Sequence, residues 1–294
     1  MKSIEPYAFQ NIYLITTYRC NWNCSFCLFR FNKEKEAPIS EIIERLRYSV
    51  EDSEKRVYIK ITGGEPFIRP DLLEAVVDFS NAYKDRIYKT GIGSNGSIPV
   101  PDFFSRLKIR THIFLSRHDL EDTLPTPSDL AKFENELIDF RLNCNLIKGG
   151  VDSVEQIERY IQERVKQGIT HFCFRELSKV DIDVNLMYPK QIYEYIEYYK
   201  SNLVPVAKIT DALENNPRFT LSRVTGNYYD INKWYWYTLP GCEPVSVKFR
   251  TIDETRLIEY NQVTDGVDEY VIHPDGTLTG CWDKDMKIIK KGGE

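Results

Sequence analysis

Residues 11–27 read Asn11-Ile-Tyr-Leu-Ile-Thr-Thr-Tyr-Arg-Cys-Asn-Trp-Asn-Cys-Ser-Phe-Cys27, an apolar run followed at once by three closely spaced cysteines. The first seven residues are mostly apolar or β-branched, which predicts a buried strand. Cys20, Cys24 and Cys27 then lie on the loop at the carboxyl end of that strand. This strand and its loop are the starting point for both the fold and the chemistry.

Three clustered thiolates can hold an iron–sulfur cube while one iron is left without a protein ligand. A [4Fe–4S] cluster that only carries electrons normally takes four cysteines, and a structural zinc site closes its tetrahedron with a fourth Cys or His. The first histidine is His112 and the next cysteine is Cys144, so both lie far along the chain. The spacing favours an open, reactive cluster. A distant fourth ligand that closes a zinc or electron-transfer site and chance clustering are the alternatives.

A second apolar run, Val57–Thr62, ends in Gly63-Gly-Glu-Pro66. Glycines allow a ligand to approach the backbone closely, and the carboxylate of Glu65 can bind an amine. Alone, this segment would be an ordinary turn. Its position at the end of the next strand after the cysteine motif makes it a specific signal for a binding site.

Strand and helix patterns alternate regularly over residues 1–203. Strands are predicted to begin near Asn11, Arg56, Ile87, Thr111, Phe140 and Thr170. Helices are predicted to begin near Ser40 as an N-cap, Asp71, Ser128, Ser153 and Lys190. Such alternation predicts a parallel sheet of the α/β class, and six units predict an open, partial (β/α)6 barrel. Sites in such barrels lie at the carboxyl ends of the strands, where the cysteine and glycine motifs fall.

The pattern changes after about Val204, where helical periodicity fades and short apolar runs appear. Residues 204–294 are predicted to form a β-rich extension that closes the open end of the barrel over the substrate site. Pro274-Asp-Gly276 predicts the turn of a hairpin. The aromatic run Trp234–Tyr237 could stack on a substrate, but alternating aromatics more often form an ordinary strand core.

The motifs resemble those of radical S-adenosylmethionine (SAM) enzymes, most closely the branch that includes the molybdenum-cofactor cyclase and peptide-modifying maturases. The resemblance covers about Asn11 to Leu177. It implies that Cys20, Cys24 and Cys27 hold a [4Fe–4S] cluster whose open iron chelates the amino and carboxylate groups of SAM. The enzyme would cleave SAM reductively, and the resulting 5′-deoxyadenosyl radical would abstract hydrogen from a substrate. A reductase, or a flavodoxin or ferredoxin, would supply the electron.

The resemblance also implies contacts to SAM. Phe26 would pack near the adenine, Glu65 would lie near the amine of the methionine moiety, and Ser116 would meet the ribose. The full set implied to bind SAM is Phe26, Gly63, Gly64, Glu65, Pro66, Ser94, Ser116, Asn145 and Arg175.

The remaining cysteines differ from the pattern of this branch, which carries three or more clustered cysteines near the carboxyl terminus for an auxiliary cluster. Here Cys242 and Cys281 lie in the extension but are far apart in sequence, which gives an auxiliary cluster no support. Cys144 and Cys173 lie in strand-like runs and are predicted to be buried. Cys281 is the candidate catalytic residue, as a hydrogen-atom donor, although a structural role is the stronger expectation.

Composition limits the functional classes. The 294 residues are 42% hydrophobic and 28% charged, with a formal net charge of −5, as in globular proteins without a general nucleic-acid footprint. The sequence contains neither an apolar run long enough for a membrane span nor a signal peptide, so a cytoplasmic protein without a membrane or nucleic-acid partner is expected.

The substrate is expected to be a small polar molecule, such as a nucleotide-like compound, because no peptide-binding module can be recognised before Asn11. One alternative is a maturase that modifies a ribosomal peptide, including epimerisation with a cysteine hydrogen donor. The other is a non-enzymatic iron–sulfur protein.

Overall fold

The protein is described from a computed structural model, which covers residues 4–5, 8–29, 32–33, 35–118, 136–178, 192–227, 229–264, 267, 269–282 and 284–293. The strands of these residues are β1 (Ile4–Glu5), β2 (Gln10–Ile15), β3 (Val57–Thr62), β4 (Ile87–Ser94), β5 (Thr111–Ser116), β6 (Ile138–Asn145), β7 (His171–Arg175), β8 (Phe219–Gly226), β9 (Asp230–Tyr237), β10 (Val245–Ile252), β11 (Glu269–Ile272), β12 (Leu278–Thr279) and β13 (Ile288–Lys290).

The six strands β2 to β7 lie side by side in chain order, each parallel to the next. Their first residues agree with the predicted starts to within about two positions, as boundary predictions allow. The predicted partial (β/α)6 barrel is therefore confirmed.

The helices of the described residues are α1 (Ile39–Asp52), α2 (Pro70–Ala82), α3 (Val154–Val165), α4 (Ile192–Asn202), α5 (Val206–Leu213) and α6 (Glu254–Val263). Ser153 caps α3 as predicted, because its hydroxyl accepts a hydrogen bond from the Gln156 amide at 3.3 Å. The prediction that Ser40 is an N-cap is wrong, since α1 begins at Ile39 after Pro38 and has no side-chain cap. The helix predicted near Ser128 lies outside the described residues. None of the described helices has both the length and the apolar character needed to cross a bilayer.

The β-rich extension is confirmed, but its strands add to both edges of the barrel sheet. On one side β10 pairs in parallel with β7 and is followed by β9, β8 and β1. On the other side β11 pairs in parallel with β2 and is followed by β12 and β13. The predicted hairpin is present, with Val271 opposite Thr279. The expected loss of helical structure after Val204 is wrong, because α5 and α6 lie there.

The two faces of the sheet have different compositions. Ile59 and Ile61 of β3 belong to an apolar core with α1 and α2, and Val247 and Phe249 of β10 belong to a second core with α3 and α5. Successive strand residues point to opposite faces. The residues between them, such as Lys60, therefore face the barrel interior. The apolar cores lie outside the barrel, and polar side chains remain for its inner face.

Candidate active site at the carboxyl ends of the strands

The cysteine loop is fixed at its base by the end of β3. The Thr16 amide donates to the Thr62 carbonyl at 3.0 Å, which continues the β2–β3 pairing past the end of both strands. The Gly64 amide then donates to Thr17 at 2.7 Å, and the Glu65 amide donates to Arg19 at 2.9 Å. The loop backbone is thus held up to the residue that precedes Cys20.

The close packing of this segment against the cysteine loop explains why positions 63 and 64 are glycines. A Cβ atom on Gly63 would lie 2.3 Å from the Thr17 carbonyl oxygen, and one on Gly64 would lie 2.0 Å from the Arg19 carbonyl oxygen. Gly63 also has a backbone φ of 134°, which residues with a side chain rarely adopt. The glycines allow two backbone segments to pack closely. Their predicted contact with SAM, and that of the buried Pro66, stay predictions.

Glu65 is fully buried and joins two strand-end turns. One carboxylate oxygen accepts hydrogen bonds from the Phe67 amide and the Ser94 hydroxyl, each at 3.0 Å. The other oxygen accepts from the Asn95 amide at 2.7 Å. Burial raises the pKa of Glu65, and these hydrogen bonds oppose the rise. Most of the acceptor capacity of the carboxylate is used within the protein, and the expected contact with the SAM amine stays a prediction.

The turn after β4 reaches the first cysteine. The side-chain amide of Asn95 donates to Asn21 at 2.8 Å and to the Cys20 sulfur at 3.8 Å. The Trp22 backbone amide donates to the same sulfur at 3.4 Å. Hydrogen bonds to ligand sulfurs are one of the means by which proteins tune iron–sulfur clusters.

The donor set fits an iron–sulfur cluster. Cys20 is exposed, Cys24 and Cys27 are half-buried, and the Cys27 amide donates to the Cys24 carbonyl at 3.1 Å in a tight turn. Within the described residues, no group of three or more His, Cys, Asp or Glu side chains is arranged to hold a single metal ion. The thiolates of a cube bind separate irons, so they do not need to converge on one point. Three thiols on one short loop suit iron–sulfur ligation.

Arg117, directly after β5, links three strand ends. Its guanidinium donates to the Ser116 carbonyl at 2.8 Å and to the Asn95 carbonyl. Its own carbonyl accepts from the Tyr160 hydroxyl of α3 at 3.0 Å, and its amide donates to Asn143 of β6 at 2.9 Å. Arg117 is buried and holds the ends of β4, β5 and β6 together.

His118 brings together two residues predicted to border the adenine. Its ring meets Phe26 edge-on, with centroids 4.6 Å apart, and its Nδ1 atom accepts from the Asn145 amide at 3.0 Å. Asn145 pairs in register with Arg175 at the end of β7. Phe26, Asn145 and Arg175 therefore lie along one side of the site. Sequence reasoning missed Arg117 and His118, although two polar residues directly after a buried strand are a usable signal.

The predicted serines have different surroundings. Ser94 is buried, and its hydroxyl donates to Glu65 and accepts from the Gly96 amide at 2.9 Å. Ser116 is half-buried at the end of β5. Ser94 thus stabilises the turn, and the proposed ribose contact of Ser116 stays a prediction.

The extension reaches the base of the cysteine loop. The Trp282 ring lies 4.6 Å from that of Tyr13 on β2 and 6.3 Å from that of Phe29, just past the cysteines. His273 is buried, with Nδ1 3.5 Å from the Tyr18 hydroxyl, and burial lowers its pKa to about 4. The hairpin therefore packs beneath the segment that carries Cys20.

The extension cysteines lie apart from that loop. Cys281 is fully buried, and its thiol donates to the Met286 carbonyl at 3.6 Å. A thiol without exposed surface cannot reach a substrate in this arrangement, which favours a packing role, and the donor role stays an untested prediction. Cys242 is exposed on the turn before β10, at the other edge of the barrel sheet. Cys144 and Cys173 are buried, as predicted.

The aromatic run of β9 divides by face. Tyr235 and Tyr237 are buried in the outer core, as the structural interpretation predicted. Trp236 is exposed, and Trp234 lies between two cations on the inner side, with Arg223 4.8 Å and Lys248 5.2 Å from its ring centre.

Below the cysteine loop, the inner face of the barrel carries ionic side chains. Lys60 donates to the Tyr13 hydroxyl at 2.9 Å and lies 5.1 Å from the centre of the Tyr58 ring. Burial and the positive charge of Arg250 lower the pKa of Lys60 to about 7. Sequence reasoning missed Lys60, although a lysine inside a buried strand was visible.

Lys248 and Arg250 occupy the same face of β10. The Arg250 guanidinium makes two hydrogen bonds of 2.9 Å with the Asp230 carboxylate. Burial would raise the pKa of Asp230, but Arg250 holds it well below its usual range. Burial lowers the pKa of Lys248. The inner-face side chains are basic at Lys60, Lys89, Arg141, Arg175, Lys248 and Arg250, and acidic at Asp139, Asp230 and Glu269.

Comparison with known proteins agrees with this geometry. The model of the Radical SAM superfamily matches residues 14–126. A Methanocaldococcus jannaschii protein assigned as a glycyl-radical enzyme activating enzyme is 25% identical over 164 residues, which cover 50% of this chain and 61% of the relative. A Methanococcus aeolicus protein assigned as a GTP 3′,8-cyclase is 29% identical over 99 residues, which cover 33% of this chain and 32% of the relative. The chain therefore spans less than two thirds of either relative.

Among solved structures, Streptococcus suis SuiB bound to precursor peptide SuiA superposes with a TM-score of 0.52 and 20% identity, covering 93% of this chain and 60% of SuiB. At that identity the likeness concerns the fold. The family match shows a Radical SAM domain over residues 14–126, and the curated relatives support an enzyme. The superfamily implies SAM and a [4Fe–4S] cluster as cofactors.

Proposed function

We propose that this enzyme holds a [4Fe–4S] cluster on Cys20, Cys24 and Cys27, cleaves SAM reductively, and acts on a small polar substrate inside the barrel. The observation that carries the proposal is the position of the cysteine loop. It is clamped onto the ends of β3 and β4, directly above an inner face lined with ionic side chains.

When bound on Cys20, Cys24 and Cys27, the cluster would supply the electron for reductive cleavage of SAM, and SAM would supply the radical chemistry that removes hydrogen from the substrate. The protein orients the reactants. Glu65 and Arg117 link the turns after β3, β4 and β5, which would form the floor of the proposed SAM site. Phe26 and Asn145 form the side on which the adenine would lie.

A small polar substrate suits the interior better than a peptide. Lys60, Arg175 and Lys248 are half-buried on the inner face, so they line accessible space and not a packed core. Charged groups in such a space favour a compact, polar molecule of opposite charge, such as a nucleotide-like compound. A ribosomal peptide is the alternative, but the likeness to SuiB concerns the fold and gives it no further support. The Radical SAM match over residues 14–126 and the likeness to enzymes argue against the non-enzymatic alternative.

The test is anaerobic reconstitution with iron and sulfide, followed by addition of dithionite and SAM. We expect a brown, oxygen-sensitive protein that forms 5′-deoxyadenosine, as suits an enzyme of the reducing cytoplasm. Cys24→Ala is the matched control and should form none. A reconstituted protein that binds SAM but forms no 5′-deoxyadenosine would contradict the proposal.

A further inference from the structure

We infer that Lys60 and Lys248 form a subsite for an anionic group, phosphate or carboxylate, on the substrate of the proposed reaction. This inference rests on the proposed function, because it places the substrate inside the barrel beneath the cysteine loop. It assigns a chemical class to that substrate and names the residues that select it.

The two lysines face the same space at the same depth. Lys60 is two residues before the end of β3. Lys248 pairs in register with Cys173, which is two residues before the end of β7. Strands β3 and β10 are separated by four strands in the sheet order, so curvature of the sheet brings them across the interior from each other. The charge of Lys248 accordingly lowers the pKa of Lys60.

Neither lysine has an acidic partner within ion-pair distance in the described part of the chain. Lys60 donates to the Tyr13 hydroxyl, and Lys248 lies against the Trp234 ring. Arg250 shows the contrast, because Asp230 matches it with two hydrogen bonds. Asp230 and Glu269 attract Lys60, and Asp230 attracts Lys248, but only from beyond ion-pair distance. A buried cation without a close partner destabilises a fold. An anion between the two lysines would offset the repulsion between their ammonium groups.

Aromatic rings position both ammonium groups without neutralising them. The Lys60 nitrogen lies 4.6 Å from the centre of the Tyr13 ring and 5.1 Å from that of Tyr58. The Lys248 nitrogen lies 5.2 Å from the centre of the Trp234 ring. Such cation–π contacts restrict the side chains without placing a carboxylate beside the ammonium groups, so the positive charge that each carries when protonated can act on a ligand. The arrangement is a preorganised anion site with an aromatic wall.

The test titrates the anaerobically reconstituted protein with pyrophosphate and, separately, with succinate, using calorimetry at low salt. We expect Lys60→Met and Lys248→Met each to weaken binding by about ten- to a hundredfold, as for loss of one charge-assisted contact. Lys166→Met is the control, because Lys166 pairs with Glu163 on the outside of α3, and it should bind like the wild type. Preference for pyrophosphate identifies a phosphate group, and preference for succinate identifies a carboxylate. Absence of saturable binding, or equal binding by all variants, overturns the inference.

Stability gives a second measurement that does not depend on the choice of anion. Without ligand, Lys248→Met should raise the melting temperature, because it removes an unmatched charge while keeping an apolar stem. A lysine that merely packs the interior would give a lower melting temperature after the same change. A lower melting temperature after Lys248→Met would therefore contradict the inference.

The pH dependence of the wild type needs no variant. Because the pKa of Lys60 is about 7, its positive charge is present below that value and is lost as the pH rises. Affinity for the anion should therefore fall between pH 6 and pH 9, and an affinity that is constant over this range would contradict the inference. The titratable groups that face Lys60 are Tyr13, Tyr58, Asp230, Lys248, Arg250 and Glu269.

The two proposals fail separately. Formation of 5′-deoxyadenosine by the wild type without anion binding would refute the subsite and leave the proposed reaction standing. Anion binding that depends on Lys60 and Lys248, in a protein that forms no 5′-deoxyadenosine, would refute the reaction and leave the subsite.

Discussion

The charged side chains at the mouth of the barrel and the two interior lysines, Lys60 and Lys248, differ in how closely they are matched by partners. At the mouth, Glu65 accepts three hydrogen bonds, and Arg117 donates to two carbonyl groups. In the interior, Lys60 and Lys248 have no acidic partner within ion-pair distance among the described residues, and Asp230 and Glu269 act on them only from farther away. Matched groups hold a geometry in place. A buried cation without a close partner reduces stability, and this cost is the basis of the anion subsite proposed above.

The largest effect is expected at the mouth, from loss of a cluster ligand. Cys20→Ala, Cys24→Ala and Cys27→Ala should each lose most of the roughly four irons of a [4Fe–4S] cluster, because only two thiolates would remain on the loop. Iron and sulfide analysis after anaerobic reconstitution measures the loss. Cys173→Ala is the control and should keep its iron, since this buried thiol lies on β7 and not on the loop. Unchanged iron in all three loop variants would sink the assignment.

The second effect concerns Glu65. Glu65→Gln puts an amide nitrogen where the carboxylate accepts hydrogen bonds, so at least one buried donor from Ser94 or Asn95 loses its partner. We expect the free energy of unfolding in urea to fall by about 2–4 kcal/mol. Glu74→Gln, which breaks an exposed pair with Arg106, should cost less than about 1 kcal/mol.

A loss below about 1 kcal/mol for Glu65→Gln would show that the matched network at the mouth does little to hold the turns. SAM binding separates the two roles of Glu65. A direct contact with the SAM amine predicts weaker binding by about ten- to a hundredfold in the folded variant as well.

The fold and the positions of the candidate motifs at the strand ends could be predicted from local patterns. Strand starts and the cysteine and glycine motifs depend on periodicity and spacing within a few residues, which a sequence displays directly. Arg117 and His118 were missed because their roles depend on partners such as Asn95 and Phe26, far away in the chain. The basic interior required knowing that β3 faces β10, which depends on the curvature of the whole sheet.

The alternation of apolar and charged residues along β3 and β10 still indicated part of the basic inner face. In Val57–Thr62, Lys60 occupies the face opposite Ile59 and Ile61, and in Val245–Ile252 the two cations share one face. A charged residue inside a buried strand indicates an inner, polar surface. The glycine motif carried a second cause that spacing did not reveal. Gly63 and Gly64 were predicted to contact SAM, and the structure adds a close approach to the backbone of residues 17–19, while the contact with SAM stays a prediction.

A smaller effect is expected from Glu36, which closes the base of the cysteine loop. Its carboxylate accepts from the Thr17 hydroxyl at 2.6 Å, from Arg19 at 2.8 and 2.9 Å, and from Arg69 at 2.8 Å. Burial opposes ionisation, but these donors lower the pKa of Glu36. Glu36→Gln should reduce the free energy of unfolding by about 1–2 kcal/mol at pH 7.

The pH dependence of stability tests whether the ionised carboxylate of Glu36 stabilises the fold. A carboxyl with a lowered pKa in the folded state stabilises the protein above its ordinary pKa, and this contribution is lost as the pH falls. The difference between wild type and Glu36→Gln should therefore shrink below about pH 4.5. Glu163→Gln, on the exposed face of α3, is the matched control and should change stability little. A difference that grows in acid would contradict the assigned role.

The smallest effects are expected from the two extension cysteines, which differ in burial. Cys281→Ala removes a fully buried thiol and should cost about 1 kcal/mol, whereas Cys242→Ala on an exposed turn should change stability by less than about 0.5 kcal/mol. Iron analysis of both variants should match the wild type, at about four irons per chain. About eight irons in the wild type, falling to four in the double variant, would instead establish an auxiliary cluster. Wild-type stability in Cys281→Ala, combined with normal 5′-deoxyadenosine formation but no substrate product, would contradict the packing role and favour a hydrogen-atom donor.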